Sequence, residues 1–373
     1  MVFYEAMSIN IGIIGLAQSG KTTVFNALTG GKAEVVRAGD GLSPHVGVAR
    51  VPEPRLKILE GILHPKKVTP VEARYTDVGA SVKTLAQDKG LGGQLLNQLS
   101  TVDTLICVVR AFRDDSIAHP QGSLDVRRDI AALNMELVFS DLAIMERRLE
   151  KLETSLKAAK PGERQGFQQE QEILARFKVE LENDRPLREL PIESAEARFV
   201  TNYQFLTAKP LLIVVNIGEE QLGQAATMQA ELAGEHPGAK SRVITLCGKL
   251  EAELAQLEES AAQELRAVYD IKESGLEKTI KASYELSDLI TFFTIASNEV
   301  RAWSIKKGTT ALKAAGKIHT DMEKGFIRAE GISLADLVKC GSIAEARKKG
   351  LLRLEGKEYV VQDGDIITFL FNV

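Results

Sequence analysis

One short segment near the start of the chain constrains its fold more than any other. Residues 15–22 read GLAQSGKT, which fits the spacing GxxxxGK[ST]. The apolar run Ile9–Gly15 before this segment reads as a strand, and the run TVFNALTG after Lys21 reads as a helix. A strand, a glycine-rich loop and a helix N-terminus together direct backbone N–H groups at a phosphate. The segment therefore predicts a phosphate-binding loop of the P-loop NTPase type.

The side chains around this loop predict how a nucleotide and its metal would be held. Lys21 can reach the β- and γ-phosphates, so we predict that it acts in catalysis, while Thr22 can offer its hydroxyl to Mg²⁺. Asp77 ends the strand-like run Val71–Asp77, where P-loop NTPases place an acid that holds Mg²⁺ through water. The alternative for a single aspartate at a strand end is a turn or cap residue. The loop residues predicted to bind nucleotide are Gln18, Ser19, Gly20, Lys21, Thr22 and Thr23.

A second segment is predicted to contact the base. Residues 216–219 read NIGE after the apolar run Leu211–Asn216, at the position where GTPases carry Asn-Lys-x-Asp. In that motif the aspartate accepts two hydrogen bonds from guanine. Here Ile217 replaces the lysine and the longer Glu219 displaces the carboxylate, so guanine selection should be poor, whereas Asn216 can still bond a purine. The alternative is that Glu219 is only a solvated loop acid.

The remaining apolar runs predict the fold class. Strand-like runs at Val46–Val51, Thr104–Ala111 and Arg242–Cys247 join those already named, and helical stretches separate them. This pattern is typical of an α/β domain with a mostly parallel sheet that is buried on both faces. We assign residues 8–133 and 206–280 to this P-loop NTPase domain.

One further sequence pattern interrupts that domain, and another follows it. A heptad spacing of apolar residues, broken by Pro161-Gly162, predicts an inserted antiparallel helical hairpin over residues 134–205. Its first helix carries Leu142, Met145, Leu149, Leu152 and Leu156, and its second carries Phe167, Leu174, Phe177 and Leu181. Residues 281–373 predict a small α+β module. Its strand-like runs are Leu289–Ile295, Glu299–Ile305, Arg353–Val361 and Ile366–Phe371, with a helix at Thr310–Ile318 and an Asp-Gly turn before the last strand.

Composition limits the classes of partner. The chain has 373 residues with 47 Lys and Arg against 51 Asp and Glu, a net charge of −4. Such a balance gives no global attraction to nucleic acid, so we expect no DNA partner and only local contact with RNA. The three cysteines are far apart and predict reduced thiols. No apolar run is long enough for a membrane span, so we expect a cytoplasmic protein without a membrane partner.

Together these features resemble the YchF, or Obg-like ATPase, family of translation-factor-class P-loop proteins, over nearly the whole chain. The most specific matches are residues 274–330 and 352–373, which read like that family's C-terminal TGS module, and residues 45–59 and 250–259 also look like family sequence. The resemblance implies a β-grasp fold for the TGS domain. It also implies ATP or ADP as ligand with Mg²⁺, a preference for ATP over GTP carried by Asn216–Glu219, and a regulatory role at the ribosome.

Several positions depart from the family pattern. Gln18 replaces an asparagine that is linked to K⁺-assisted hydrolysis, and Gly41 stands where the family has a threonine. Ala80 replaces the glycine of Asp-x-x-Gly, with Ser81 after it, and His119 matches a family histidine proposed to assist hydrolysis. An ordinary loop histidine is an equally good interpretation of His119. Because γ-phosphate contacts are altered while binding residues remain, we expect a slow ATPase; the alternatives are a non-hydrolysing, nucleotide-gated binding module and, less favoured, a GTPase.

A basic stretch in the C-terminal module offers one candidate contact with ribosomal RNA. It lies near Trp303 and Phe326, and the alternative is an ordinary solvated face. Its members are Lys306, Lys307, Lys313, Lys317, Lys324 and Arg328.

Overall fold

The computed structural model describes residues 9–30, 34–35, 45–78, 91–271, 273–296 and 298–372. The expectations for Gly41, Ala80 and Ser81 lie outside the described residues.

The first part of the chain alternates strands with helices, as its sequence pattern predicts. In order, its elements are β1 (Ile9–Gly15), α1 (Lys21–Leu28), β2 (Glu34–Val35), β3 (His45–Arg50), α2 (Arg55–Leu63), β4 (Lys67–Thr69), β5 (Glu72–Asp77), α3 (Leu91–Ser100) and β6 (Thr104–Arg110). Next come α4 (Val126–Ala158), α5 (Pro161–Glu182), α6 (Ser194–Tyr203), β7 (Leu211–Asn216), α7 (Ala225–Glu235), β8 (Ser241–Leu246), α8 (Gly248–Leu254), α9 (Glu259–Val268) and α10 (Gly275–Leu286).

The larger sheet confirms the predicted α/β class. Among the described strands its order is β2-β3-β5-β1-β6-β7-β8, and β1, β6, β7 and β8 pair in parallel. Every residue of β6 and β7 is buried, which fits their uninterrupted apolar sequences. The parallel arrangement brings the carboxyl ends of β1 and β7 to one edge, and Asp77 at the end of β5 reaches Thr22 beside it.

Helices α4 and α5 form the predicted hairpin. Arg148 pairs with Glu170, and Lys178 pairs with Glu146, so the two helices run antiparallel. Met145 and Leu152 are fully buried in the seam between them. Helix α4 also begins earlier than the assigned insertion, because residues 126–133 already belong to it and Leu133 packs in the core of the larger sheet. Within the described ranges, no helix has both the length and the apolar character needed to cross a membrane.

The C-terminal part carries a second, mixed sheet, as the predicted α+β module requires. Its elements are β9 (Leu289–Ala296), β10 (Glu299–Lys306), α11 (Ala311–Ile318), α12 (Thr320–Lys324), β11 (Phe326–Ser333), α13 (Leu334–Cys340), α14 (Ile343–Lys348), β12 (Arg353–Glu355) and β13 (Asp365–Phe371). The strand order, counted over the described residues, is β12-β11-β13-β9-β10-β4. Ala311, Ala314 and Ala315 of α11 are fully buried in the core of this part, which lets the helix approach closely.

One strand prediction in this module was wrong. The run Arg353–Val361 is a strand only over Arg353–Glu355, and it pairs with β11 rather than forming a hairpin with β13. The Asp-Gly turn has another role, because the Asp363 carboxylate accepts hydrogen bonds from the Thr291 N–H at 2.9 Å and from Arg55 Nη1 at 2.7 Å. Side-chain contacts therefore attach the turn to β9 and α2.

The described residues divide into two compact units whose boundary differs from the sequence assignment. One unit contains Ile9 with residues 48–74 and 287–372, and the other contains residues 10–47 and 75–286 in their described parts. The sequence assignment had put residues 48–74 in the P-loop domain. They belong with the C-terminal part because β4 pairs in parallel with β10, and the Thr69 hydroxyl donates to Glu299 at 2.5 Å. The boundary falls within β3 and β5.

Candidate nucleotide-binding site

The phosphate loop joins β1 to α1, and two residues with positive φ shape its backbone. Gln18 has a φ of 61° and Gly20 a φ of 86°, both in the left-handed region. A side chain at Gly20 would collide with the amide nitrogen of Asn216, and a Cβ at Gly15 would lie 2.5 Å from the Val108 carbonyl. Both glycines of the motif are therefore sterically required here. Gln18, whose side chain is exposed, adopts its conformation at a cost of about 1 kcal/mol.

The Lys21 ammonium lies at the start of the loop. Its Nζ donates to the carbonyl oxygens of Gly15 at 3.1 Å and Leu16 at 3.2 Å. Burial lowers the pKa of Lys21, while the field of Asp77 opposes that shift. A partly desolvated cation that is held mainly by carbonyl dipoles favours the arrival of an anion. This is the property that a phosphate-binding lysine needs.

Thr22 and Asp77 meet beside this lysine, as the sequence predicts. The Thr22 hydroxyl donates to Asp77 Oδ2 at 2.9 Å, and Asp77 is 1% exposed. The other carboxylate oxygen, Oδ1, is buried and has no hydrogen-bond partner among the described residues; the same holds for the Ser19 hydroxyl in the loop. Buried polar atoms without partners call for a ligand. A hydroxyl and a free carboxylate oxygen fit Mg²⁺, which in proteins takes few carboxylates together with phosphate oxygens and water.

Asn216 connects the phosphate loop to the segment after β8. Its Nδ2 donates to the Ser19 carbonyl at 3.1 Å, and its Oδ1 accepts the Gly248 N–H at 2.9 Å. Both ends of the 4%-exposed amide are thus used inside the protein. Purine contact by Asn216 stays a prediction; in the structure its amide connects two loops that border the site.

The next two predicted base-contacting residues have different surroundings. The Ile217 side chain is 1% exposed and packs in the core of the larger sheet, which explains an apolar residue at this position. Glu219 lies at the cavity edge, where Oε1 is 2.9 Å from Lys249 Nζ and Oε2 accepts the Tyr269 hydroxyl at 3.1 Å. These two hydrogen bonds lower the pKa of Glu219, and the contact with Lys249 makes the larger contribution. Glu219 is thus an engaged anion rather than a freely solvated loop acid.

A cavity of about 620 Å³, a size typical of small-ligand sites, lies between the end of the phosphate loop and the segment after β7; Lys21, Thr22 and Asp77 are not among its lining residues. Gly20 and Thr23 border it on the phosphate-loop side, and Asn216, Ile217 and Glu219 border it on the side of β7. Gly218 of the predicted segment also borders the cavity, and the rest of the lining was not predicted: Phe112, Arg113, Asp114, Ile117, Glu220, Cys247 and Lys249.

Arg110 organises the missed wall of this cavity. It ends β6 and is 3% exposed, and its guanidinium donates to the carbonyls of Phe112, Asp114 and Ile117 at 3.1–3.2 Å. The guanidinium also lies 4.6 Å from the centroid of the Phe112 ring. One buried cation therefore fixes the loop after β6. An arginine that closes the otherwise apolar run Thr104–Val109 was the available sequence signal.

His119, predicted to assist hydrolysis, is buried close to the phosphate loop. Its side chain is 6% exposed and borders a small space shared with Leu16, Ala17 and Ser19. Nε2 lies 2.9 Å from Asp129 Oδ2, and Nδ1 accepts the Gln121 N–H at 3.1 Å. Because both ring nitrogens have partners, this arrangement favours a supporting role beneath the loop over proton transfer.

Comparison with known proteins gives a consistent result over the whole chain. The chain is 40% identical over 370 residues to the protein of Bacillus subtilis (strain 168) named "Ribosome-binding ATPase YchF", covering 98% of this chain and all of that one. It is 37% identical over 372 residues to the protein of the same name from Escherichia coli O157:H7, with 98% and 100% covered. The family model YchF-GTPase_C, described as "Protein of unknown function (DUF933)", matches residues 289–372.

A solved structure agrees with these sequence matches. The Schizosaccharomyces pombe protein described as "YchF GTPase" superposes with a TM-score of 0.82 at 29% identity, covering 97% of this chain and 98% of that one. The relatives' names thus include both an ATPase and a GTPase.

Proposed function

We propose that this chain, which belongs to the YchF family of P-loop NTPases, is a slow ATPase that binds adenine nucleotides and associates with the ribosome. The observation that carries the nucleotide part is the Thr22–Asp77 pair, 2.9 Å apart and adjoining a loop that holds the partly desolvated Lys21 ammonium. This group of side chains has the chemistry that a triphosphate and its metal require.

Each residue of this group would have a separate task in hydrolysis. Lys21 and the backbone N–H groups at the start of α1 would bind the phosphate oxygens and stabilise the charge that develops as the γ-phosphate leaves. Thr22 and Asp77 would hold Mg²⁺. The bound Mg²⁺ supplies Lewis-acid neutralisation of the phosphate charge. Asn216 would keep Ser19 and the loop in register for this binding.

Adenine preference is supported by the state of Glu219. Both of its carboxylate oxygens already have partners, Lys249 and Tyr269, so a guanine would have to share or displace these bonds. The test is a titration of ATP, ADP, GTP and GDP against the purified chain with Mg²⁺. We expect tighter binding of the adenine nucleotides; equal or tighter binding of GDP than ADP would contradict the assignment.

The buried position of His119 favours a second candidate, a nucleotide-gated binding module that does not hydrolyse ATP. Nδ1 of His119 accepts a backbone N–H and Nε2 lies against the buried Asp129 carboxylate, which favours a structural role over action on a water molecule. In the sequence, Gly41 and Ala80 replace family residues that contact the γ-phosphate, and this also favours a module that does not hydrolyse ATP. Phosphate release, compared with that from a Lys21→Ala variant, separates the two candidates. Release above the variant's level supports the slow ATPase, and equal release supports the binding module.

Ribosome association is supported by the names of the bacterial relatives and by the basic stretch of the C-terminal module. Lys306 and Lys307 are exposed at the end of β10, and Lys348 and Lys349 are an equally exposed pair in the same unit. We expect the chain to cosediment with ribosomes and Lys306→Glu/Lys307→Glu to weaken this more than Lys348→Glu/Lys349→Glu. Equal effects of the two pairs would contradict a specific contact through the basic stretch, and no cosedimentation of the wild type would contradict ribosome association itself.

A further inference from the structure

We propose that Lys249 and Tyr269 set the base selectivity of this site by engaging the Glu219 carboxylate and so withholding it from guanine. The proposal rests on the adenine-nucleotide function proposed above. It assigns specificity to two residues that do not belong to the Asn216–Glu219 segment.

The three side chains come together from three separate elements. Glu219 begins the 3-10 helix Glu219–Gln224 after β7, Lys249 lies in the first turn of α8, and Tyr269 follows the end of α9. Lys249 Nζ forms an ion pair with one carboxylate oxygen at 2.9 Å, and the Tyr269 hydroxyl donates a hydrogen bond to the other at 3.1 Å. Glu219 and Lys249 both line the 620 Å³ cavity. The carboxylate is therefore fixed at the cavity edge with each oxygen already bonded.

The chemistry of the two purines makes this engagement selective. Guanine presents adjacent N–H donors at N1 and N2, which a carboxylate can accept as a pair, whereas adenine has an acceptor at N1 and no such pair. To bind guanine in this way, Glu219 would have to leave the orientation that the ammonium and the hydroxyl fix, or accept the guanine donors on oxygens whose charge Lys249 already partly balances. Adenine requires neither change. An exposed ion pair and one hydrogen bond from a hydroxyl to a carboxylate together correspond to about a three- to tenfold difference in affinity.

The test compares ADP and GDP affinities, because the two ligands carry the same phosphates and differ only in the base. The test variant is Lys249→Met/Tyr269→Phe, which keeps the apolar part of each side chain. The matched control is Lys178→Met/Tyr203→Phe, since Lys178 pairs with Glu146 at 3.1 Å and the Tyr203 hydroxyl bonds to Glu170, both in the hairpin. Binding is measured by calorimetry, and folding of each variant by circular dichroism.

The proposal predicts that the ratio Kd(GDP)/Kd(ADP) falls about three- to tenfold in the test variant and stays at the wild-type value in the control. An unchanged ratio with ADP still bound would overturn the proposal and leave the proposed function intact. Loss of both nucleotides in a folded test variant would also overturn it, since the two residues would then shape the cavity rather than select the base. A wild-type ratio of one or less would instead refute the adenine function itself.

A measurement on the wild-type chain keeps the proposal testable if the double variant does not fold. The Lys249 side chain is 73% exposed, so added salt screens its attraction for Glu219. Raising NaCl from about 0.05 M to about 0.5 M should lower the Kd ratio by about twofold, while the effect of salt on the shared phosphates cancels. A ratio that is constant across this range would contradict the ion-pair part of the mechanism.

Discussion

Replacing Asn216 by alanine should weaken nucleotide binding because it releases the phosphate loop from the segment after β8. The variant loses the bonds to the Ser19 carbonyl at 3.1 Å and to the Gly248 N–H at 2.9 Å. Asn216 is only 4% exposed, so water cannot readily replace the lost amide. Leaving two buried backbone groups without partners costs about 1–3 kcal/mol each, or about 2–6 kcal/mol together. If only about 1.4 kcal/mol of this cost is expressed as destabilisation of the phosphate-binding conformation of the loop, ADP affinity drops about tenfold.

The assay is calorimetric titration of ADP together with thermal melting followed by circular dichroism. A second variant, Asn216→Asp, keeps an acceptor for Gly248 but turns a carboxylate oxygen toward the Ser19 carbonyl, and this repulsion should weaken ADP binding at least as much. Asn183→Ala is the control, because Asn183 makes one exposed bond to the Val179 carbonyl at 2.8 Å. Wild-type ADP affinity and melting temperature in Asn216→Ala would refute the assignment of Asn216 as the connection between the two loops.

Three further predictions concern other parts of the molecule. Lys21→Ala should lower ADP affinity at least about 100-fold in a folded chain, because it removes the buried ammonium; undiminished affinity in the titration would contradict the site. Gly41→Thr/Ala80→Gly should raise phosphate release at least about tenfold, and an unchanged rate would mean that other residues contact the γ-phosphate. Asp141 lies fully buried in α4, and burial raises its pKa from 3.8 to about 6, so the folded chain keeps a proton that the unfolded chain has lost between these pH values. The stability that this proton contributes, about 3 kcal/mol, is present below pH 3.8 and lost by about pH 6. In denaturation experiments the free energy of unfolding of Asp141→Asn should therefore decline less than that of the wild type over this pH range. Parallel curves of the two proteins would contradict this.

Local sequence pattern predicted those parts of the fold and site in which neighbouring residues act together. The phosphate loop, the buried strands β6 and β7, the seam of the hairpin and the Thr22–Asp77 meeting follow from motif spacing, apolar runs and the parallel connection of strands. In each case the contacts that stabilise the element come from residues close in sequence, or from the general rule that parallel strands bring their carboxyl ends to one edge of a sheet.

The parts that were missed depend on pairings over long sequence separations. Nothing local in Lys67–Thr69 indicates a partner strand 230 residues later, and nothing in Tyr269 indicates a bond to Glu219. The Asp363-Gly364 turn has the composition of a hairpin turn, yet its carboxylate bonds to Arg55 and to the Thr291 N–H instead. Side-chain contacts with distant segments outweighed the local turn preference in this case.

The pairing of β4 with β10 has a consequence for the order in which the chain is made. Thr69 and its partner Glu299 are 230 residues apart, and translation adds about 5–20 residues each second, so β4 emerges roughly 10–50 s before β10 exists. During that interval β4 has no sheet to join, although β3 and β5 on either side of it belong to the larger sheet. An unpaired strand edge is a site for wrong association, and β4 is short and begins with Lys67, two features that make such an edge less adhesive. The unit that contains β4 therefore begins early in synthesis but can be completed only after its C-terminal strands have been made.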